Sequence, residues 1–473
     1  MSSFSGLNTA LSGLLAHKRT IDMIGHNISN VETEGFSRRR VDLTSSGSIQ
    51  PPGRYSTYWT NSNLGVDVER VTRIRDEFLE TKARTELGNE AAQNRMAEVL
   101  VRIEAAFPEP SDEGVQAQLA KFWNAWSDAA NRPGDIATRT AVLEQAKRLA
   151  QTFAGTARDL TAIRTDLGTQ LDTKVAEVNA MAGRIAELNE QIRVATVGGA
   201  DASDLLDERD LLVDRLVTTT GATVRPAADG QVDVLLGGST LVAGKRADTL
   251  SVVANGPLDA PLDTLPFGGL ELRWGSDGYP VAGFGGELGG LLTGANDLVP
   301  RYLHELDGVA AQLVSTVNAL HTTGQGLDTV NDVNLDFFDP TGVTAATLAL
   351  SSDVADQPSR LALATAGAGA LDTTIANALA GLATSTTGAD ALHRTLVGRL
   401  GIETQTAESR ASIQQLIRVE ADTARRGVSG VNLDEEMTNL IASQRAYEAS
   451  ARLITSIDEM LDVLINRTGT VGR

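Results

Sequence analysis

The feature that most limits what this chain can fold into is a long proline-free stretch that begins after Arg132-Pro133-Gly134. In it Leu149, Phe153, Leu160, Leu167, Leu171, Val178, Ile185, Leu188 and Ile192 recur at heptad-like intervals. A side chain returning every three or four residues marks one stripe of an α-helix. If the helix is unbroken over ~60 residues it is ~90 Å long. Rods and bundles use such elements and compact enzymes rarely do, since an average helix has only about three turns.

Both ends of the chain carry narrower stripes of the same kind. At the N-terminus Phe4, Leu7, Leu11, Leu14, Ile21 and Ile28 hold a and d spacing, with Lys18 and Gly25 filling the same register. At the C-terminus Leu433, Met437, Leu440, Gln444, Tyr447, Ala451, Ile454, Ile457, Leu461 and Leu464 alternate steps of three and four, and one irregular step at Ile457 changes the pitch. A seam one side chain wide needs a second helix to cover it. The apolar members of both seams are therefore the expected subunit-interface positions, with ends that fray in an isolated chain. Lys18 and Gly25 weaken the first seam, so the second is the expected main strut.

Between these ends the pattern changes several times. Asn27, Asn30 and Gly35 should stop the first helix near Asn30. Residues 31–71 read as an extended arm with a small hairpin, from the runs Arg40-Val41-Asp42-Leu43 and Val66-Asp67-Val68 and the breakers Pro51-Pro52-Gly53 and Asn61-Ser62-Asn63. A helix from about Thr72 to Phe107 ends at Pro108 and Pro110. The next, shorter helix carries Leu119, Phe122, Trp123 and Trp126 on one side, as a core ridge requires. After Gly198-Gly199 a short helix from Leu205 to Val217 gives way to apolar and polar alternation through Val224 and Val232-Asp233-Val234-Leu235, with Asp229-Gly230 as a turn.

The glycines from Gly283 to Gly290 read as a flexible turn into a helix from Leu291 to Leu320. Short strands are expected around Phe337-Phe338 and from Ala346 to Leu350, then a small Ala-, Thr- and Gly-rich peripheral piece, then helix from Ala389 to Arg426. The expected fold class is α+β and mainly helical: an elongated multi-domain chain whose N- and C-terminal parts form a long-helix bundle around an inserted β-rich domain. The division is 1–35 terminal coiled-coil helix, 36–200 arm and bundle, 201–290 β-rich outer domain, 291–330 return helix, 331–390 peripheral segment, 391–430 bundle helix and 431–473 terminal coiled-coil helix.

Charge and composition narrow the function. A formal charge of −20 repels nucleic-acid phosphates, and Arg38-Arg39-Arg40 is too short a basic run to offset it, so no nucleic-acid partner is expected. Those arginines read as a solvated or subunit-contacting face. With no cysteine, disulfides, thiolate zinc sites and cysteine nucleophiles are excluded. No run of eighteen apolar residues occurs, so no membrane span is expected. The first twenty residues have neither the basic nor the apolar region of a cleaved signal, so export would take a route without cleavage.

The chemistry-bearing residues are scattered. His17, His26, His304, His321 and His393 form no metal-binding spacing, and HExxH, GxSxG and phosphate-loop patterns are missing. No metal, no cofactor and no catalytic residue is expected. His17 and His26 read as solvated or interface residues. Asp434, Glu435 and Glu436 could serve as acid and base or as a cation site, yet they read more simply as carboxylates at the positive end of a helix capped by Asn432 or Asp434.

Two motifs at opposite ends then stand out. Ser12-Gly13-Leu14 and the run Gly25-His26-Asn27-Ile28-Ser29-Asn30 to Gly35-Phe36-Ser37-Arg38 resemble the signature shared by flagellar rod, hook and hook-associated axial proteins. The run Val431-Asn432-Leu433-Asp434-Glu435-Glu436-Met437, with Gln444-Arg445-Ala446-Tyr447, resembles the matching C-terminal signature. Asn27, Asn30, Gly35, Phe36, Asn432, Asp434, Glu435, Glu436 and Arg445 are the positions that carry the resemblance. His26, where the family often has Asn, and Glu34, where Pro or a small residue is usual, depart from it. The segment Asp204-Leu205-Leu206-Asp207-Glu208-Arg209-Asp210-Leu211-Leu212 and the long helices point to the hook-associated branch of that family.

The resemblance implies a mechanical, non-enzymatic role: a secreted subunit of a tubular zone that joins hook to filament, self-associating through its terminal helices. It implies export through the flagellar type III channel, a chaperone on the C-terminal helix, and the hook protein and a second hook-associated protein as neighbours. Other readings are a hook, distal rod or second junction subunit, or a filament-associated enzyme carried in the middle region.

Overall fold

The computed structural model describes residues 3–46, 65–255, 269–328, 330–463 and 465. The breakers at 51–53 and 61–63, the side chain of Phe4 and the whole of Leu464 lie outside the described residues. In chain order the elements are α1 (Ser3–Ser29), β1 (Arg39–Ser46), β2 (Gly65–Arg73), α2 (Glu77–Ala105), α3 (Val115–Asn131), α4 (Ile136–Val197) and α5 (Ser203–Thr220). Then come β3 (Thr223–Pro226), β4 (Val232–Leu236), β5 (Ser239–Ala243), β6 (Arg246–Ala247), β7 (Leu250–Asn255) and β8 (Gly269–Trp274). The chain closes with α6 (Gly286–Thr293), α7 (Val299–His321), β9 (Gly324–Gln325), β10 (Ala364–Thr365), α8 (Thr374–Gly381), α9 (Ala389–Ser429) and α10 (Leu433–Asp462). The fold is mainly helical, with small antiparallel sheets.

The 62-residue helix α4 is the spine. Asp135 caps it by accepting from the Ala137 N–H, and the nine apolar residues of its heptad-like stripe are each at most 1% exposed. At roughly 2 kcal/mol for each fully buried side chain, that stripe outweighs the net stability of an ordinary domain, so burial rather than propensity keeps α4 continuous. Phe122 and Trp126 of α3, Val213 and Leu216 of α5, and Leu306 and Leu313 of α7 belong to the same core as the stripe from Leu149 to Ile185, while Leu188 and Ile192 pack with Ala202 in a smaller cluster.

β3-β4-β5-β6 form one antiparallel sheet, and β7 pairs with β8. Val232, Val234 and Leu236 alternate inward along β4. Two asparagines of α4 fasten these strands: Asn189 donates to Val232 O (2.8 Å) and accepts from Val232 N (3.1 Å), and Asn179 does the same with Leu250 (2.9 and 2.7 Å). Among the described residues the expected β-rich domain has no core of its own. Its buried residues join those of the helices in one continuous cluster, because strands this short cover too little surface to stand alone.

Three further expectations are corrected. α2 starts at Glu77, not near Thr72, since β2 continues to Arg73 and Asp76 supplies the cap. The glycine run is no flexible turn: α6 begins at Gly286, and a Cβ on Gly290 would lie 2.6 Å from the Cβ of Arg95, so glycine lets α6 lie against α2. The segment 331–390 is not peripheral throughout. Phe337 and Phe338 are fully buried against Phe122 and Trp126, and the Asn318 carboxamide bonds Phe337 N, Phe338 N and Phe338 O. Two phenylalanines amid Ala, Thr and Gly hardly alter the composition, yet they decide where the segment sits.

Candidate subunit interface and its joint

α1 and α10 pack antiparallel, with Gly6 against Ile457, Gly13 against Ser450 and Asn27 bonded to Glu436. Helix backbones approach closely where side chains are small, and α1 offers Gly6, Ala10 and Gly13 to its partner. Ala10, Ala16, Met23, Ile24 and Asn27 are its buried residues. The face used within the chain is thus centred one position N-terminal to the expected seam. Leu7, Leu14, Ile21 and Ile28 are only half-buried, and Leu11 is 46% exposed.

On α10, Ile457 is buried and Leu440, Tyr447, Ile454 and Leu461 are half-buried, whereas Leu433 and Met437 are exposed. Leu15, Ile441, Leu453 and Met460 add to this exposed apolar surface. One helix can cover only one side of another, so the pair is left with apolar residues that nothing among the described residues shields.

The joint below the pair gathers both family motifs. The buried Asn27 side chain donates to Arg39 O (2.9 Å) and to the Glu436 carboxylate (3.0 Å), and accepts from Arg39 N (3.1 Å). Glu436, 2% exposed, accepts from Arg38 Nε at 2.8 Å, and Arg38 also reaches Glu435 at 2.7 Å. Asn432 caps α10 by accepting from Asp434 N and Glu435 N, so the capping reading fits Asn432 while Glu436 acts as an internal anchor. Gly35 has a left-handed φ of 80° and packs on Leu211, which brings Phe36 between the His26 ring (5.5 Å) and the Arg39 guanidinium (5.1 Å). Asn30 donates to His26 O and closes the end of α1. Asp434 and Arg445 are exposed.

Arg38 and Arg39 are therefore not a solvated or subunit-contacting face; only Arg40 is exposed. Arg39 bonds Asp204 (2.6 Å) and Asp207 (2.7 Å) of α5, and Arg73 bonds Asp207 (2.7 Å) and Asp210 (2.8 Å). Arg75 pairs with Asp210 and Glu80, Arg209 with Asp210, and Arg84 and Arg425 with Asp214. Burial alone would raise the Asp210 carboxyl, but Arg75, Arg209, Arg73 and Arg84 outweigh it and hold the group well below the usual carboxylate range. This ladder ties arm, α2, α5 and α9 to one another. A sequence signal for it existed in Asp204, Asp207, Asp210 and Asp214, which recur at steps of three and four on one face of α5.

Among the described residues no group of three or more His, Asp and Glu is arranged to hold a metal ion, and no helix is long and apolar enough to cross a membrane. A cleft of about 1010 Å³ under the arm is lined by Arg73, Arg75, Arg209 and Asp210, whose charges already satisfy one another.

Comparison with known proteins assigns this architecture. Residues 100–338, half of the chain, match the family described as the flagellar hook-associated protein FlgK helical domain. The chain belongs to the FlgK family of flagellar hook-associated proteins. Residues 428–467, which include α10, match the C-terminal family of flagellar basal body rod FlgEFG proteins.

Flagellar hook-associated protein 1 of Bacillus subtilis is 29% identical to this FlgK-family chain, and the alignment covers all of both. Its counterpart from Salmonella typhimurium is 28% identical over 70% of this chain, which spans 59% of that protein's length. A solved structure of the flagellar hook junction protein FlgK from Burkholderia pseudomallei overlaps 53% of this chain and 45% of its own, at 23% identity and a TM-score of 0.46. The family match and the curated relatives make the FlgK-family chain a structural component of the bacterial flagellum.

Proposed function

We propose that the chain is a secreted subunit of the hook-filament junction that polymerises through its terminal helices and performs no catalysis. The observation that carries this reading is the apolar surface of the α1 and α10 pair: its small face is used up inside the chain, while Leu11, Leu15, Leu433, Met437, Ile441, Leu453 and Met460 remain exposed. Exposed aliphatic side chains along two packed helices are covered when copies of the pair associate around an axis. In that assembly Leu7, Leu11, Leu14, Ile21, Ile28, Leu433, Met437, Leu440, Tyr447, Ile454, Ile457 and Leu461 line or support the inner tube, and Phe4 and Leu464 extend the same spacing. The helical body and its strands point outward as the adjoining parts of one subunit.

The hook protein and a second hook-associated protein are the neighbours this position requires, and the exposed face of α10 suits a chaperone before export through the flagellar channel. The test is imaging of cells that lack the chain. Bare hooks with filament protein shed into the medium are expected, restored by the full chain but not by one truncated from Leu453. Normal filaments in the deletion strain would reject the reading.

A further inference from the structure

One buried histidine takes no part in the assembly just described. His321 closes α7 and is fully buried. Its Nδ1 faces Leu335 O at 2.6 Å, and its Nε2 accepts from the Ala362 N–H at 3.0 Å. The partners fix the tautomer, because a carbonyl needs a donor and an N–H needs a lone pair. Arg139 of α4, also fully buried, donates to Leu361 O at 2.6 Å. Leu361 C=O and Ala362 N–H belong to the same peptide group. A guanidinium therefore holds one end of that peptide and a neutral imidazole holds the other.

We propose that His321 is a proton-operated latch that keeps the segment 330–365 on the helical bundle and lets it go when its ring is protonated. Protonation turns Nε2 from acceptor into donor, facing the Ala362 N–H, and puts a second cation on a peptide already held by Arg139. Among the described residues the surroundings offer the ring no carboxylate partner, and the buried Asp332 acts on Arg139 instead. From α3 and from the segment itself the ring meets Trp126 (6.3 Å) and Phe337 (5.5 Å). Arg139 is the charged group from α4, and Asn318 on α7 carries no charge. Asp332 of the segment pairs with Arg360 at 3.4 Å and bonds the Asp328 N–H. Among the described residues no carboxylate bonds the ring.

The direction of the titration agrees. Burial lowers the His321 imidazole to about 4, against the weaker opposing effect of its bond to Leu335 O. A released ring takes up its proton from about 6.5. The released form is thus favoured as pH falls from about 6.5 toward 4, about tenfold for each pH unit. Loss of the latch bares Phe337, Phe338 and the ridge of α3 that they cover.

Hydrogen exchange of the full chain, followed by mass spectrometry at pH 7.5 and 5.0 and corrected for intrinsic rates, tests this. Wild type should open at 330–365 at least tenfold more at pH 5.0. The His321→Gln chain, whose amide can accept and donate in the same places without titrating, should respond little, and His393→Gln should leave the response of this segment intact. Equal acid responses in wild type and His321→Gln, or no response in wild type, would overturn the latch. If His321→Gln fails to fold, exchange of the imidazole Cε1–H in the wild-type chain reads the His321 titration directly. A midpoint well below 6.5 supports the latch, and one at 6.5 or above overturns it.

Discussion

The Asn27 carboxamide donates to the Glu436 carboxylate at 3.0 Å across 409 positions of sequence, and both side chains are buried. That bond closes the base of the α1 and α10 pair, and Arg38 completes it from the arm. Because Glu436 has both Asn27 and Arg38 as partners, its removal breaks a buried hydrogen bond and half of a largely buried ion pair, while Asn27 keeps Arg39 O and Arg38 keeps Glu435.

Glu436→Ala should therefore destabilise docking of the terminal pair by roughly 3 kcal/mol, the scale for breaking a buried pair from one side. Amide exchange in α1 and α10 should accelerate by about two orders of magnitude while α4 keeps its protection. Glu436→Gln, which can still accept from Asn27, should lose less. Unchanged exchange in Glu436→Ala would show that the pair is held by other contacts.

The response to acid should fall into two windows. His393, buried with neither ring nitrogen hydrogen-bonded among the described residues, is lowered by burial to about 4, and Glu109 lies 3.9 Å from its Nε2. Unfolded, the ring protonates from about 6.5. Its share of stability is complete above that value and is lost as pH falls toward 4. Asp210 is shifted the other way relative to its charge: its folded carboxyl is depressed, so its contribution is present above its unfolded value and is lost only below about 4. In urea denaturation at pH 7.5, 5.0 and 3.5, His393→Leu should reduce the loss between 7.5 and 5.0 by about 2 kcal/mol. Asp210→Asn should lower stability at pH 7.5 and weaken the further loss below pH 4. An unaltered loss between 7.5 and 5.0 in His393→Leu would remove His393 from the account.

Elements defined by one-dimensional periodicity were readable from the sequence. The stripe from Leu149 to Ile192 marks the buried face of α4, and alternation at Val232, Val234 and Leu236 marks the inward face of β4. Contacts between distant segments were not. Arg38 and Arg39 look like surface charge until α5 and α10 supply carboxylates, which no local pattern around the arginines reveals. The heptad template preferred leucine in the N-terminal seam, while packing against α10 selected glycine and alanine, because close backbone approach needs small side chains. The same limit hid Phe337 and Phe338, whose place in the core depends on the shape of α3.

Phe337 offers a direct measure of that hidden core. Its ring contacts Trp126 at 5.4 Å, Phe122 at 5.7 Å and Phe338 at 4.7 Å between centroids. Phe337→Ala should cost about 4 kcal/mol, since a fully buried ring leaves a cavity that its neighbours only partly fill. Denaturation followed by tryptophan fluorescence reads both the loss and the altered environment of Trp126. A cost below 1 kcal/mol would mean that the segment is surface packing after all.

The exposed leucines of α1 separate assembly from folding. Leu11 is 46% and Leu15 55% exposed, and neither position is part of the Gly6, Ala10 and Gly13 face that meets α10. An aspartate at either site stays in water within the monomer, so stability should change by no more than about 0.5 kcal/mol. Packed against neighbouring copies, the same carboxylate would be buried without a partner, at a cost of several kcal/mol in each subunit. Leu11→Asp with Leu15→Asp should therefore give a monomer with unchanged circular dichroism and melting that neither polymerises in vitro nor restores filaments to a deletion strain. Aspartate at the exposed Ile402 of α9, far from the terminal pair, is the matched control and should restore them. A double variant that assembles as well as wild type would mean that the leucine face of α1 is not an interface.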